Sequence, residues 1–115
     1  MERIGPVNLM AIEEFKKAAE IKPDDASIYV LIGTAYINMN ATDAAIEMYK
    51  KAIELDPGPE SANAYLNLGA TYANTKRDYP AALIYLEKYI EVAPNTVQAS
   101  QVRNNIVQIK MMLAQ

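Results

Sequence analysis

Tyr29-Val30-Leu31-Ile32-Gly33-Thr34-Ala35-Tyr36 and Tyr65-Leu66-Asn67-Leu68-Gly69-Ala70-Thr71-Tyr72 are one phrase written twice, 36 positions apart. Each copy opens and closes on Tyr and carries an aliphatic–Gly pair near its centre. A second phrase recurs around it. Ala11-Ile12-Glu13-Glu14-Phe15-Lys16-Lys17-Ala18 precedes Pro23, and Ala45-Ile46-Glu47-Met48-Tyr49-Lys50-Lys51-Ala52 precedes Pro57, 34 residues on. A looser copy, Ala82-Leu83-Ile84-Tyr85-Leu86-Glu87-Lys88-Tyr89, precedes Pro94, a further 37 residues along. A period of this length marks a repeated supersecondary unit that buries its apolar face against its neighbours. The unequal spacings locate insertions: two residues in the turn Pro57-Gly58-Pro59-Glu60, and one near Lys76-Arg77.

Both phrases are helical. Ile12, Phe15, Ala18 and Ala19 recur at the helical period, as do Ile46, Tyr49, Ala52 and Ile53. Helix starts are marked by Asp24 or Asp25 after Pro23, by Thr42 or Asp43 after Asn40-Ala41, and by Asp78 ahead of Pro80. The spacing predicts six helices, near 7–22, 25–39, 42–55, 60–75, 79–92 and 96–113. No stretch alternates at period two, so no strand is expected and the fold class is all-α.

These residues resemble the tetratricopeptide repeat. Residues 26–59 supply its signature at Tyr29, Ile32, Gly33, Tyr36, Ala45, Tyr49, Ala52 and Pro57. Residues 62–94 supply Tyr65, Leu68, Gly69, Tyr72, Ala82 and Pro94, with Leu86 in place of the second-helix aromatic and Tyr89 in place of a small residue. Residues 7–23 resemble the second helix of a preceding repeat, and 96–113 a closing helix. The resemblance implies a single domain over 1–115, a right-handed superhelix (solenoid) of antiparallel helix pairs. It also implies that the signature residues are core. Glycines and alanines let helices approach, tyrosines fill the space between turns of the stack, and prolines end each second helix.

The resemblance places function on the first helix of each pair, which lines a concave face where peptides or protein segments lie. The non-signature positions there are Ser27, Val30, Thr34, Ile37 and Asn38 in one repeat. In the next they are Asn63, Leu66, Asn67, Ala70, Ala73 and Asn74. An Asn side chain both donates and accepts, so it holds a peptide backbone without reading charge. Some members of the family grip a C-terminal carboxylate through Lys, Arg and Asn on successive first helices. Asn67 matches one such Asn. Val30 and Thr34 stand where Lys and Asn are needed, and Gln98 and Val102 where cations are needed, with Arg103 one residue out of register. A carboxylate buried without a cation is costly, so this mode is not expected.

Composition narrows the chemistry. With no Cys and no His, disulfides, thiolates, Ser-His-Asp triads and the usual zinc sites are excluded. Ser27, Ser61 and Ser100 have no His to activate them. Asp24-Asp25 reads as a helix start, so no metal and no cofactor is expected, and an enzyme is the least favoured reading. A net charge of −3 and a pI near 4.9 argue against nucleic acid and anionic membranes as partners. No apolar run approaches the roughly 18 residues of a membrane span. The expected product is soluble, cytoplasmic or periplasmic, and the run Ala93–Ala99 has a bacterial flavour. Glu13-Glu14 with Lys16-Lys17, and Glu47 with Lys50-Lys51, read as helix-surface ion pairs worth about 0.2–0.5 kcal/mol each.

The leading expectation is thus a scaffold whose partner is a protein or peptide. The alternative is a structural adaptor that self-associates, as a homodimer, through an open end. Ile4, Val7, Leu9 and Met10 flank the first helix. The last helix offers one stripe of Ala99, Val102, Ile106, Ile109 and Leu113, and a second set of Val107, Met111 and Ala114. Two and a half repeats plus a closing helix invite completion by a second copy, by a longer parent chain, or by Met1–Pro6 folding back.

Overall fold

Three helices of this protein stop two residues short of a proline: α1 (Ile4–Ile21) before Pro23, α3 (Thr42–Leu55) before Pro57, and α5 (Tyr79–Val92) before Pro94. Proline lacks an N–H and disfavours helical backbone at the residue before it, so the chain turns there. Between them run α2 (Ala26–Asn38), α4 (Ala62–Thr71) and, last, α6 (Ala99–Leu113). The computed structural model describes the backbone of residues 4–115 and the side chains from Met10 onward. Among the described residues there is no strand, and the fold is all-α. Among the described residues no helix is long and apolar enough to cross a membrane.

Helix starts follow the expected punctuation at two sites. Asp25 caps α2, accepting from the Ser27 N–H at 3.1 Å and the Ser27 hydroxyl at 2.6 Å. Asp78 caps α5, accepting from the Ala81 N–H at 3.2 Å, with Pro80 in the first turn. Three starts depart from expectation. The N-cap of α3 is Ala41, which makes no side-chain cap bond; Thr42 and Asp43 are already helical, and Asp43 acts through its charge at the positive end of the helix dipole. Helix α1 begins at Ile4 rather than 7, because Pro6 is tolerated in a first turn. Helix α6 begins at Ala99 rather than 96, because Thr96 is held in the turn, where it accepts the Tyr89 hydroxyl at 2.6 Å.

The helix expected over 60–75 is three pieces: a 3-10 turn at Pro59–Ser61, α4, and a π turn at Tyr72–Lys76. The π turn is the structural form of the residue inserted near Lys76-Arg77. In the first repeat the left-handed residue is Asn40 (φ 62°). Its N–H bonds Ile37 O at 2.9 Å and the Ala41 N–H bonds Tyr36 O at 2.9 Å, a Schellman closure. In the second repeat the left-handed residue is Arg77 (φ 55°), and the Asp78 N–H reaches back to Tyr72 O at 2.8 Å, one residue further. Widening one turn absorbs the insertion without disturbing the start of α5.

The chain divides into two compact units, one ending at Ser61 and one spanning Ala62–Gln115. The cut falls between the repeats read at 26–59 and 62–94. In the first unit α2 packs against both α1 and α3. Its core holds Ile12 and Ala19 from α1, Ile32 and Ala35 from α2, and Ala45, Tyr49 and Ala52 from α3. A Cβ on Gly33 would lie 2.7 Å from the Tyr49 ring, so the absence of one sets how closely α2 and α3 approach. Buried Ser61 donates its hydroxyl to the Ala52 carbonyl at 3.1 Å.

In the second unit α5 packs against both α4 and α6. Tyr65, Leu68, Ala82, Leu86, Val102 and Ile106 form the centre of its core. Leu86 fills the role of Tyr49: a Cβ on Gly69 would lie 2.6 Å from its Cγ. Tyr89, where the family has a small residue, is 2% exposed, and its hydroxyl is satisfied by Thr96. Tyr72 and Tyr85 stack with ring centroids 5.6 Å apart and planes 3° from parallel.

The side chains of Ile4, Val7 and Leu9, expected to form the open flank, and residues 1–3 of the expected fold-back of Met1–Pro6 lie outside the described residues, while residues 4–6 belong to α1. Met10 is exposed.

Candidate functional site

In the first unit the solvent-facing stripe of α2 is Ser27, Leu31, Thr34 and Asn38. These positions recur at helical spacing, so one face of α2 is open from end to end. Val30 and Ile37 are half-buried beside it. Leu31, at 47% exposure, is the apolar residue most open on this face, and the sequence reading missed it. The signal lay in the repeat itself. Leu31 aligns with Asn67, which was selected.

Two of the selected polar residues are already engaged. The Ser27 hydroxyl is spent on Asp25, and that bond holds the Asp25 carboxyl below its ordinary pKa. Thr34 donates to the Val30 carbonyl at 3.1 Å and so accepts from the Tyr49 hydroxyl at 3.0 Å. Both are structural bridges first. Two of the lysines expected in surface ion pairs also meet aromatic rings. Lys16 and Lys51 lie 5.8 Å over the rings of Tyr36 and Tyr29.

In the second unit the corresponding stripe of α4 is Asn63, Ala70 and, on the π turn, Asn74, with Leu66, Asn67 and Ala73 half-buried alongside. Here a cavity of about 250 Å³ opens. Leu66, Ala70, Ala73 and Asn74 form one side. Gly69, Leu86 and Tyr79 also line it, and α6 contributes Asn105, Gln108, Ile109 and Met112. The side-chain-free Gly69 leaves Leu86 as part of the lining. None of the lining residues is charged.

The apolar stripe expected of α6 is buried at Ala99, Val102, Ile106 and Ile109, so Val102, which stands where the carboxylate-gripping members need a cation, is core at 2% exposure. The turn that separates Pro23 from Ala26 is short. The turn from Pro94 to Ala99 is two residues longer and matches that from Pro57 to Ala62. On α6 the cavity is lined by Asn105, Gln108, Ile109 and Met112, none of which the sequence reading selected for binding. Arg103 turns back to donate to the Pro94 carbonyl at 2.8 Å. The second apolar set of α6 is exposed at Val107 and Met111, while Ala99, Ile106 and Ile109 are core; Leu113 is exposed.

Consecutive helices packed on one another, repeated with the same glycine contacts, define a helical-repeat protein of the kind that serves as a protein–protein interaction scaffold. Residues 24–95 match the tetratricopeptide-repeat family model, and the chain belongs to that family. The solved structure of MamA is similar over 93% of this chain and 59% of its own, with a TM-score of 0.77 and 27% identity. Protein O-mannosyl-transferase TMTC1 of Mus musculus is 29% identical over 75% of this chain and 9% of its own length. The peroxisomal targeting signal receptor of Candida albicans is 36% identical over 55% of this chain and 10% of its own. The chain thus spans about a tenth of these curated relatives.

Proposed function

We propose that this chain is a non-catalytic interaction module that holds a peptide or protein segment on open helix faces, that of α2 in one unit and those of α4 and α6 in the other. The observation that carries this reading is the cavity between α4 and α6. It is concave, mostly apolar and rimmed by carboxamides, and it lies on the helix faces that the family uses for recognition. The kinship with targeting-signal receptors supports it, since the receptor's name describes binding of a segment. Nucleic acid and anionic membrane do not fit a chain with a net charge of −3. The non-catalytic reading is supported by membership of the tetratricopeptide-repeat family.

The test is capture of peptides from a random phage-displayed library by the immobilised chain, compared with Leu66→Glu and Asn67→Ala variants. Leu66→Glu is expected to abolish capture and Asn67→Ala to weaken it, with helical circular dichroism unchanged. Full capture by a folded Leu66→Glu variant would overturn the reading.

A further inference from the structure

We infer that the cavity of the second unit takes one bulky, uncharged side chain from a neutral peptide segment, whose backbone is held by the carboxamides at its rim. This rests on the reading of the α4 and α6 faces as a peptide-binding surface.

Size comes first. At about 250 Å³ the cavity falls just below the roughly 300–1,000 Å³ of small-molecule sites, and it suits one large side chain rather than a cofactor. Its walls are apolar, with Leu66, Ala70 and Ala73 facing Met112. Met112 is 47% exposed, and its unbranched thioether adapts to aliphatic or aromatic shapes alike.

The rim supplies the second observation. Asn74, Asn105 and Gln108 line the same cavity. Asn105 accepts from the Gln101 amide at 3.1 Å, which leaves its own NH₂ to donate. The carboxamides of Asn74 and Gln108 have no hydrogen-bond partner among the described residues. Together they present donors and acceptors in the mixture that a peptide backbone requires.

Charge excludes the alternatives. Helices α2 and α4 carry no charged residue, and the two of α6, Arg103 and Lys110, do not line the cavity. A charged side chain entering the cavity would lose its hydration and meet no counter-charge. An ion-paired or phosphorylated ligand has nothing to recognise here.

The experiment sequences the peptides captured from the same library, at low and at high salt, by the wild-type chain and by Ala70→Lys. Ala70 is exposed and Lys is a good helix former, so this variant keeps its fold, as circular dichroism will verify. The expected consensus is neutral with one large aliphatic or aromatic residue. Its capture should be insensitive to salt and weakened roughly tenfold or more by Ala70→Lys. A charged, salt-sensitive consensus that Leu66→Glu still abolishes would overturn this inference and leave the module reading standing. Neutral peptides indifferent to Ala70→Lys would overturn the assignment to this cavity. Enrichment of nothing would overturn both.

Discussion

Gly33 and Gly69 show how much one missing carbon decides. Each faces a large side chain of the next helix, Tyr49 or Leu86, at a distance that no Cβ tolerates. The Tyr49 ring is itself fixed, because it is 1% exposed and its hydroxyl is bonded to Thr34. Gly33→Ala is therefore expected to lower stability by about 1–3 kcal/mol through overpacking. That exceeds the roughly 1 kcal/mol that Ala gains over Gly in a helix interior. The check is the urea midpoint at constant m-value; an unmoved midpoint would mean that the ring swings aside. Tyr89 illustrates the opposite case. A residue too large for the family's pattern is accommodated because the longer turn brings Thr96 to its hydroxyl.

Among the elements, the turn after α4 is the most informative. Its π winding takes up one inserted residue and leaves Arg77 in left-handed backbone without the glycine that such a position favours. Left-handed geometry costs a residue with a Cβ about 1–2 kcal/mol, while glycine adds back some unfolded-state entropy. Arg77→Gly should thus raise stability by about 0.5–1 kcal/mol. The equivalent Asn40→Gly should gain less, since Asn tolerates this region. Thermal melts of the two variants side by side decide the matter. A loss of stability in Arg77→Gly would show that the Arg side chain is needed where it is.

For the whole molecule, the absence of His has a thermodynamic consequence. Side chains with ordinary pKa values do not titrate between about pH 5.5 and 7.5 when His and Cys are missing. Stability should be flat across that window. On the acid side Asp25 contributes with a known sign. The Ser27 hydroxyl depresses its folded pKa, so its contribution is complete above the unfolded value of 3.8. It is lost as pH falls through the lower folded value. Melting temperature against pH, for wild type and Asp25→Asn, checks both parts. A slope in the neutral window would contradict the first. Identical acid limbs would contradict the second.

Repetition, helix periodicity and the prolines were enough to read six helices, their order and much of the core from the chain alone, although among the signature residues Tyr29, Tyr36 and Tyr72 are only half-buried and Pro57 and Pro94 are exposed. These are local properties: a 3.6-residue stripe or a missing N–H acts wherever it stands. On the α4 side of the cavity, Leu66, Ala70 and Asn74 were legible from the register of a repeated phrase, whereas Asn63 and Asn67, selected with them, do not line it. The α6 side was not legible. Its register depends on the length of the Pro94–Ala99 turn, which is held by a hydroxyl contact between Tyr89 and Thr96 that no spacing rule encodes. The same limit hid the engagement of Thr34 with Tyr49, and the lysines over the tyrosine rings. Each joins residues on different helices, and such contacts come into being only when packing fixes how those helices face one another.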